Sequence, residues 1–301
     1  MKSPVVICGA TGNVGSKIAE TLLAAGESVR VVGRERVRLG PLAAKGAEPY
    51  PGDIADGAFL GKAFAGARAA FVLIPPKYDA EDVGQYQRHV AETVVSALSA
   101  ARVPRIVTLS SIGAHLSGGT GPILGLHTLE AMVDAGLADA GVIHLRPGYF
   151  MENHLWSIPA IREHGVNGSA IRHDVPIPMV ATKDIATAAA RLIDFGTFEG
   201  HSVRYLLGPR DVTPAEATRI LGEAIGDPGL KYVQFPEDAA RKAMAAVGMS
   251  ESTVDAMLEM QRGFNAGRIR PTRERDADSA TPTTLEEFAT TVFARAYRAA
   301  A

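Results

Sequence analysis

Short runs of apolar, largely β-branched residues recur along the first half of the chain, and longer stretches with an apolar position every third or fourth residue separate them. The runs at 5–8, 29–32, 69–74, 105–109 and 142–145 are four to six residues long and apolar on both faces, with a weaker run at 47–50. A strand covered on both sides reads this way, because neither face alternates to meet water. The helical period predicts helices at 14–25, 36–45, 56–65, 81–101 and 123–135; in the fourth, Val90, Val94, Val95 and Leu98 share one face. Strands that alternate with helices of this length pair in parallel through crossovers, which gives an α/β fold with a Rossmann-type doubly wound parallel sheet.

Beyond residue 150 the period loosens and nine prolines punctuate shorter segments. A helix at 183–194 and a strand at 203–207 still read as parts of the sheet layer. Residues 1–150 are therefore expected to form a dinucleotide-binding domain. Residues 151–301 are expected to complete the sheet and build a smaller C-terminal substrate lobe. The stretch 262–279, which mixes both charge signs with Gly and Pro, reads as a solvated connector in preference to an anion-binding patch.

Composition narrows the function. The net charge is −2 with no long basic run, which argues against a surface that tracks nucleic acid. No apolar run approaches the ~20 residues of a membrane span, and the four apolar residues before Gly9 are too few for a signal-peptide core. A cytoplasmic protein, monomer or homodimer, is expected. The single cysteine, Cys8, lies in the first apolar run and reads as a core residue. No His or Cys spacing suggests a metal site, and no G-x-S-x-G elbow suggests a serine hydrolase.

The strongest local signal is GATGNVG, which runs through Gly9, Ala10, Thr11, Gly12, Asn13, Val14 and Gly15 between the first strand and the first helix. In that setting Gly9 permits the tight turn, Gly12 lets the backbone approach a diphosphate, and Gly15 lets the helix pack against the strand. The helix N-terminus then offers N–H groups and a positive dipole end to the anion. Where many NAD-binding folds place a carboxylate after the second strand, this chain has Gly33 and Arg34, which favours the 2′-phosphate of NADP(H) while leaving NAD(H) possible; Glu35 points the other way. Arg36 and Arg38 read as weaker contributors or solvated charges. Asp53, after the third strand, reads either as an adenine contact or as the cap of the next helix. Ile74 and Pro75, in LIPP after the fourth strand, give a stiff apolar wall.

The Tyr-x-x-x-Lys pair of ordinary short-chain dehydrogenases is missing, since none of the seven tyrosines has a lysine four residues on. Four stretches, GATGNVG, TLSSIGAH (108–115), LRPGYFMEN (145–153) and TPTTLEEFA (281–289), make the chain resemble the NmrA-like branch of the atypical short-chain dehydrogenases over nearly its whole length. The resemblance implies a dinucleotide-binding fold and one of two roles. One is an NADPH-dependent reductase of quinone-like or conjugated aromatic small molecules. The other is a catalytically silent NADP-binding redox sensor. It also implies that Ser111 is a hydroxyl that holds a substrate oxygen, with Ser110 beside the cofactor. His127 stands where relatives with reductase activity carry a lysine or histidine, and an imidazole there can supply a proton; a helix-surface residue is the alternative. Tyr149 and Phe150, past the sixth strand, are candidates for the nicotinamide pocket, with core packing as the alternative. Met151 and Trp156 read as a pocket wall or as core.

Overall fold

The computed structural model describes residues 2–196 and 198–300. Seven strands form one parallel sheet: β1 (Val5–Ile7), β2 (Val29–Gly33), β3 (Glu48–Pro51), β4 (Ala69–Val72), β5 (Arg105–Leu109), β6 (Gly141–Pro147) and β10 (His201–Leu206). Their spatial order is β10-β6-β5-β4-β1-β2-β3, so the winding direction reverses between β1 and β4. At such a reversal the crossovers leave on opposite faces, and a crevice opens beyond the carboxyl ends of the two strands.

Successive residues of β1 divide between the two faces. Val5 and Ile7 join the core under α1 (Gly15–Ala24), α2 (Arg36–Ala43) and α7 (Thr182–Phe195). Val6 and Cys8 join the core under α3 (Gly57–Phe64), α4 (Val83–Ala101) and α5 (Ile123–Gly136). The two-faced apolar runs of the sequence therefore correspond to a sheet covered on both sides. The strand expected at 69–74 ends at Val72 because Pro75 and Pro76, just beyond, carry no N–H to extend the ladder. The edge strand is fastened to α5 through Asp134, whose Oδ1 accepts from His201 Nδ1 at 2.6 Å and His144 Nε2 at 3.0 Å.

The remaining elements sit past the carboxyl ends of the large sheet. β7 (Tyr149–Phe150), β9 (Ile177–Val180) and β11 (Asp211–Val212) form one small sheet, while β8 (Val166–Ser169) and β12 (Lys231–Gln234) form another. With α6 (Ile158–His164), α8 (Pro214–Ile225) and α10 (Glu251–Asn265), they frame a separate apolar core that includes Met151, Tyr205, Phe264, Phe288 and Phe293, while α9 (Glu237–Ala246) packs on α10 in a smaller cluster around Ala240, Val254 and Leu258. Part of 262–279 is more than a connector: Leu207 N donates to Ser279 O at 2.8 Å, and Arg275 is bound to Asp211.

Candidate functional site

The glycine loop lies at the winding reversal. Gly9 has φ +65°, a left-handed conformation that L side chains rarely adopt, and a Cβ there would also lie 2.7 Å from Leu73 Cδ2 on the neighbouring β4 loop. A Cβ on Gly15 would sit 2.4 Å from the Gly9 carbonyl oxygen, so the helix can start this close to the strand only without a side chain. A Cβ on Gly12 would meet nothing closer than Gly9 O at 3.3 Å, and Gly12 and Asn13 are exposed at the crown of the turn. Ala10 and Val14 are buried and Thr11 is half-buried, so they anchor the loop from beneath. No side chain caps α1 and no acidic residue occupies its first turn, unlike α3, α4, α8 and α10, each capped by an Asp, Ser or Thr. The bare turn and the open amide end fit a dinucleotide diphosphate, by shape and by dipole.

The next loops flank this crown. Arg34 is exposed, and Gly33 is pinched between Leu39 and Thr11, each 3.1 Å from where its Cβ would be. Arg38 does more than decorate the surface, since its Nη2 donates to Thr11 O at 3.4 Å and so reaches the glycine loop itself. Asp53 is not the cap of α3. That role belongs to Asp56, which accepts from Ala58 N and Phe59 N, whereas Asp53 accepts only from Ala55 N at 2.9 Å. Its other oxygen remains at an exposed position beside the loop. Burial pushes the Tyr86 phenol up, with Asp53 acting in the same direction and Arg34 against it. Ile74 is buried and Pro75 half-buried behind Leu73.

Two groups of candidate residues lie towards the other end of the crevice, and among the described residues no hydrogen bond joins them. In the first, His127 is partly buried, with Nδ1 2.9 Å from Ala114 O. A carbonyl can only accept, so Nδ1 carries the hydrogen and Nε2 is the free atom. Ser111 is half-buried, and Ser110 Oγ is buried with no partner among the described residues. In the second group, Tyr149 and His154 have ring centroids 5.7 Å apart. Burial pushes the Tyr149 phenol up to about 12 and the His154 imidazole down to about 4, and His154 Nε2 is likewise unpartnered. Tyr78, from the loop after β4, meets Trp156 edge-on at 6.0 Å. Trp156 is 70% exposed, which excludes the core alternative for it, whereas Met151 is buried in the second core. Phe150 packs at the edge of the first core.

The stretch RPGYFMEN resolves into mostly structural parts. Arg146 forms a two-pronged pair with Glu130 of α5, Nε to Oε1 at 3.0 Å. A Cβ on Gly148 would lie 2.3 Å from Pro178 O, so only glycine lets β7 pass β9 there. Glu152 accepts from the Thr182 amide at 3.0 Å and from its hydroxyl, thereby capping α7. Only Tyr149 and the exposed Asn153 are left for a ligand. Tyr78 and the cap role of Glu152 were not marked by any sequence pattern, since each depends on a contact with a distant segment.

The sequence profile of the NmrA-like family matches residues 1–289. The chain is similar to an NAD(P)H azoreductase of Xenophilus azovorans, 29% identical over 260 residues, or 85% of each chain. It is also similar to quinone oxidoreductase 2 of Escherichia coli (strain K12), 29% identical over 273 residues, which is 88% of this chain and 89% of that one. The crystal structure of an NADPH-dependent quinone oxidoreductase of Escherichia coli complexed with NADPH aligns with a TM-score of 0.79 and 26% identity, over 96% of this chain and 99% of that one.

Proposed function

Because the chain belongs to the NmrA-like family, we propose that it is an NADPH-dependent reductase that passes hydride to a planar, quinone-like or conjugated aromatic acceptor. The observation that carries the reading is the side-chain-free turn at Gly9 to Gly15, at the winding reversal, with the Tyr78–Trp156 and Tyr149–His154 ring pairs past the carboxyl ends of the same sheet. Bound NADPH supplies the hydride. The amides of the turn would hold the diphosphate, and Arg34 and Arg38 would meet the 2′-phosphate. The acceptor stacks against the rings at the crevice mouth, where an aromatic pair adds about 0.5–1.5 kcal/mol beyond area burial.

Quinone reduction by a two-electron hydride step then needs one proton from outside the coenzyme for each hydroquinone formed. Tyr149, whose phenol stays protonated at neutral pH, donates a hydrogen bond to the acceptor oxygen and does not itself ionise. His127, fixed through Nδ1, presents Nε2 as the site that exchanges a proton with solvent, and Ser111 steadies the oxygen. Purified protein with NADPH and a panel of quinones tests this: protein-dependent loss of nicotinamide absorbance is expected. Tight NADPH binding with no turnover across the panel would overturn the reductase in favour of a redox sensor.

A further inference from the structure

A second cleft, of about 530 Å3, opens beyond the ends of β6 and β10, lined by His115, Arg270, Pro271, Thr272, Arg273 and Glu274. Arg146 pairs with Glu130 and Arg275 with Asp211, although Arg275 Nε is buried without a partner among the described residues. Among the described residues, Arg270 and Arg273 meet no carboxylate at ion-pair distance, although Glu274 lines the same cleft. Arg273 lies over the Tyr205 ring at 5.6 Å, which orients its planar fork. Tyr205 is held in turn by Thr272 Oγ1 at 2.9 Å and Arg146 Nη1 at 3.3 Å. The buried Tyr205 thus backs the wall, which itself carries, among the described residues, two guanidinium groups without ion pairs and an imidazole.

We infer that this cleft is an oxyanion site that takes the sulfonate or carboxylate of an aromatic small molecule, with Arg270 and Arg273 as the charged clamp and His115 as the third donor. Pro271 gives the aryl part an apolar contact in the wall, and a guanidinium fork matches the planar edge of such an anion. The electrostatics of the cleft agree. Burial lowers the affinity of His115 for a proton, and Arg146, Arg270 and His127 lower it further, against the opposing pull of Glu130. A bound oxyanion offsets those cations, with Arg273 and Glu274 also facing the site, so binding should draw a proton onto His115.

The site goes beyond the reductase reading, and only the source of its anion, an acceptor or a separate ligand, rests on that reading. The test uses the full chain saturated with NADPH, with the His115 ring resonance followed by NMR during titration with naphthalene-2-sulfonate and, separately, inorganic phosphate. A saturable shift towards the imidazolium position is expected with the aryl sulfonate, weakened roughly tenfold in the R270Q/R273Q variant and by added salt. No saturable shift, or equal affinity in the double variant, overturns the site. Phosphate that binds as tightly as the sulfonate overturns the aryl seat, because it leaves a free oxyanion as the ligand. A parallel assay compares 1,2-naphthoquinone with its 4-sulfonate: a KM rise in the double variant for the sulfonate alone places the anion on the acceptor. If neither quinone is consumed, the reductase reading fails while the titration still decides the cleft.

Discussion

At the scale of single residues, the chemistry rests on groups whose neighbours decide their charge or reach. Among the described residues Arg34 makes no hydrogen bond or ion pair and is exposed, so its interaction with a 2′-phosphate is not offset by a bond already made. Arg34→Ala is expected to weaken NADPH binding about tenfold and to leave NADH nearly unchanged, as calorimetry with both coenzymes would register; equal losses would remove Arg34 from the 2′-phosphate. His154 gives a pH prediction of definite sign. Its imidazole is pushed from the usual 6.5 to about 4 by burial, so below pH 6.5 the unfolded chain binds a proton that the folded chain refuses. The stability it contributes is complete above about 6.5 and falls as the pH drops towards 4, by about 3 kcal/mol in all. Urea melts of wild type and His154→Phe at pH 7 and pH 4 should therefore converge by roughly that amount; a constant gap between the two proteins would mean that the ring is charged or hydrated in the native state.

At the scale of elements, the sequence made most of the frame legible and little of what ties it together. The six apolar runs and the helical periods of the first half depend on local burial, which each residue shows by its own polarity, and the observed elements lie within a residue or two of them. The glycine loop was readable for the same reason, since its demands on the backbone are local. Glu130 and Arg146 were not readable as a pair: they stand on α5 and β6, and only the packing of helix on sheet brings the carboxylate to 5% exposure with both oxygens engaged. Asp53 and Asp56 show the limit from the other side, because two aspartates three residues apart compete for one helix start and only the backbone decides which caps it. Removing one member of the α5–β6 pair should be costly. Glu130→Ala leaves a buried guanidinium without its counter-charge and is expected to destabilise by about 3–5 kcal/mol, whereas Glu130→Leu with Arg146→Met should recover most of it. Denaturant midpoints would show this, and additive losses in the double variant would mean that the pair is not coupled.

At the scale of the whole molecule, three distant segments meet at the crevice mouth. The loop after β4 brings Tyr78, the 3-10 turn Met151–Ser157 brings Trp156, and α10 holds the first of these through Ser250 N to Tyr78 O at 2.9 Å and Ser250 Oγ to Ala80 O at 2.5 Å. The Tyr78–Trp156 contact therefore spans the two halves of the chain, and an acceptor that stacks there would be gripped from both. Trp156 is the only tryptophan in the sequence, so its emission reports on this place alone. It lies 70% exposed with an edge-on partner at 6.0 Å, an arrangement that leaves one face of the indole open. A planar quinone that covers that face should quench the emission strongly once NADPH is bound, in proportion to occupancy. Trp156→Phe keeps a ring but loses part of the stacking surface, so KM for planar acceptors should rise about two- to tenfold with kcat nearly constant, the mark of binding equal in ground and transition states. Unquenched emission at saturating acceptor, or a fall in kcat with KM unchanged, would move the acceptor off the Trp156 face.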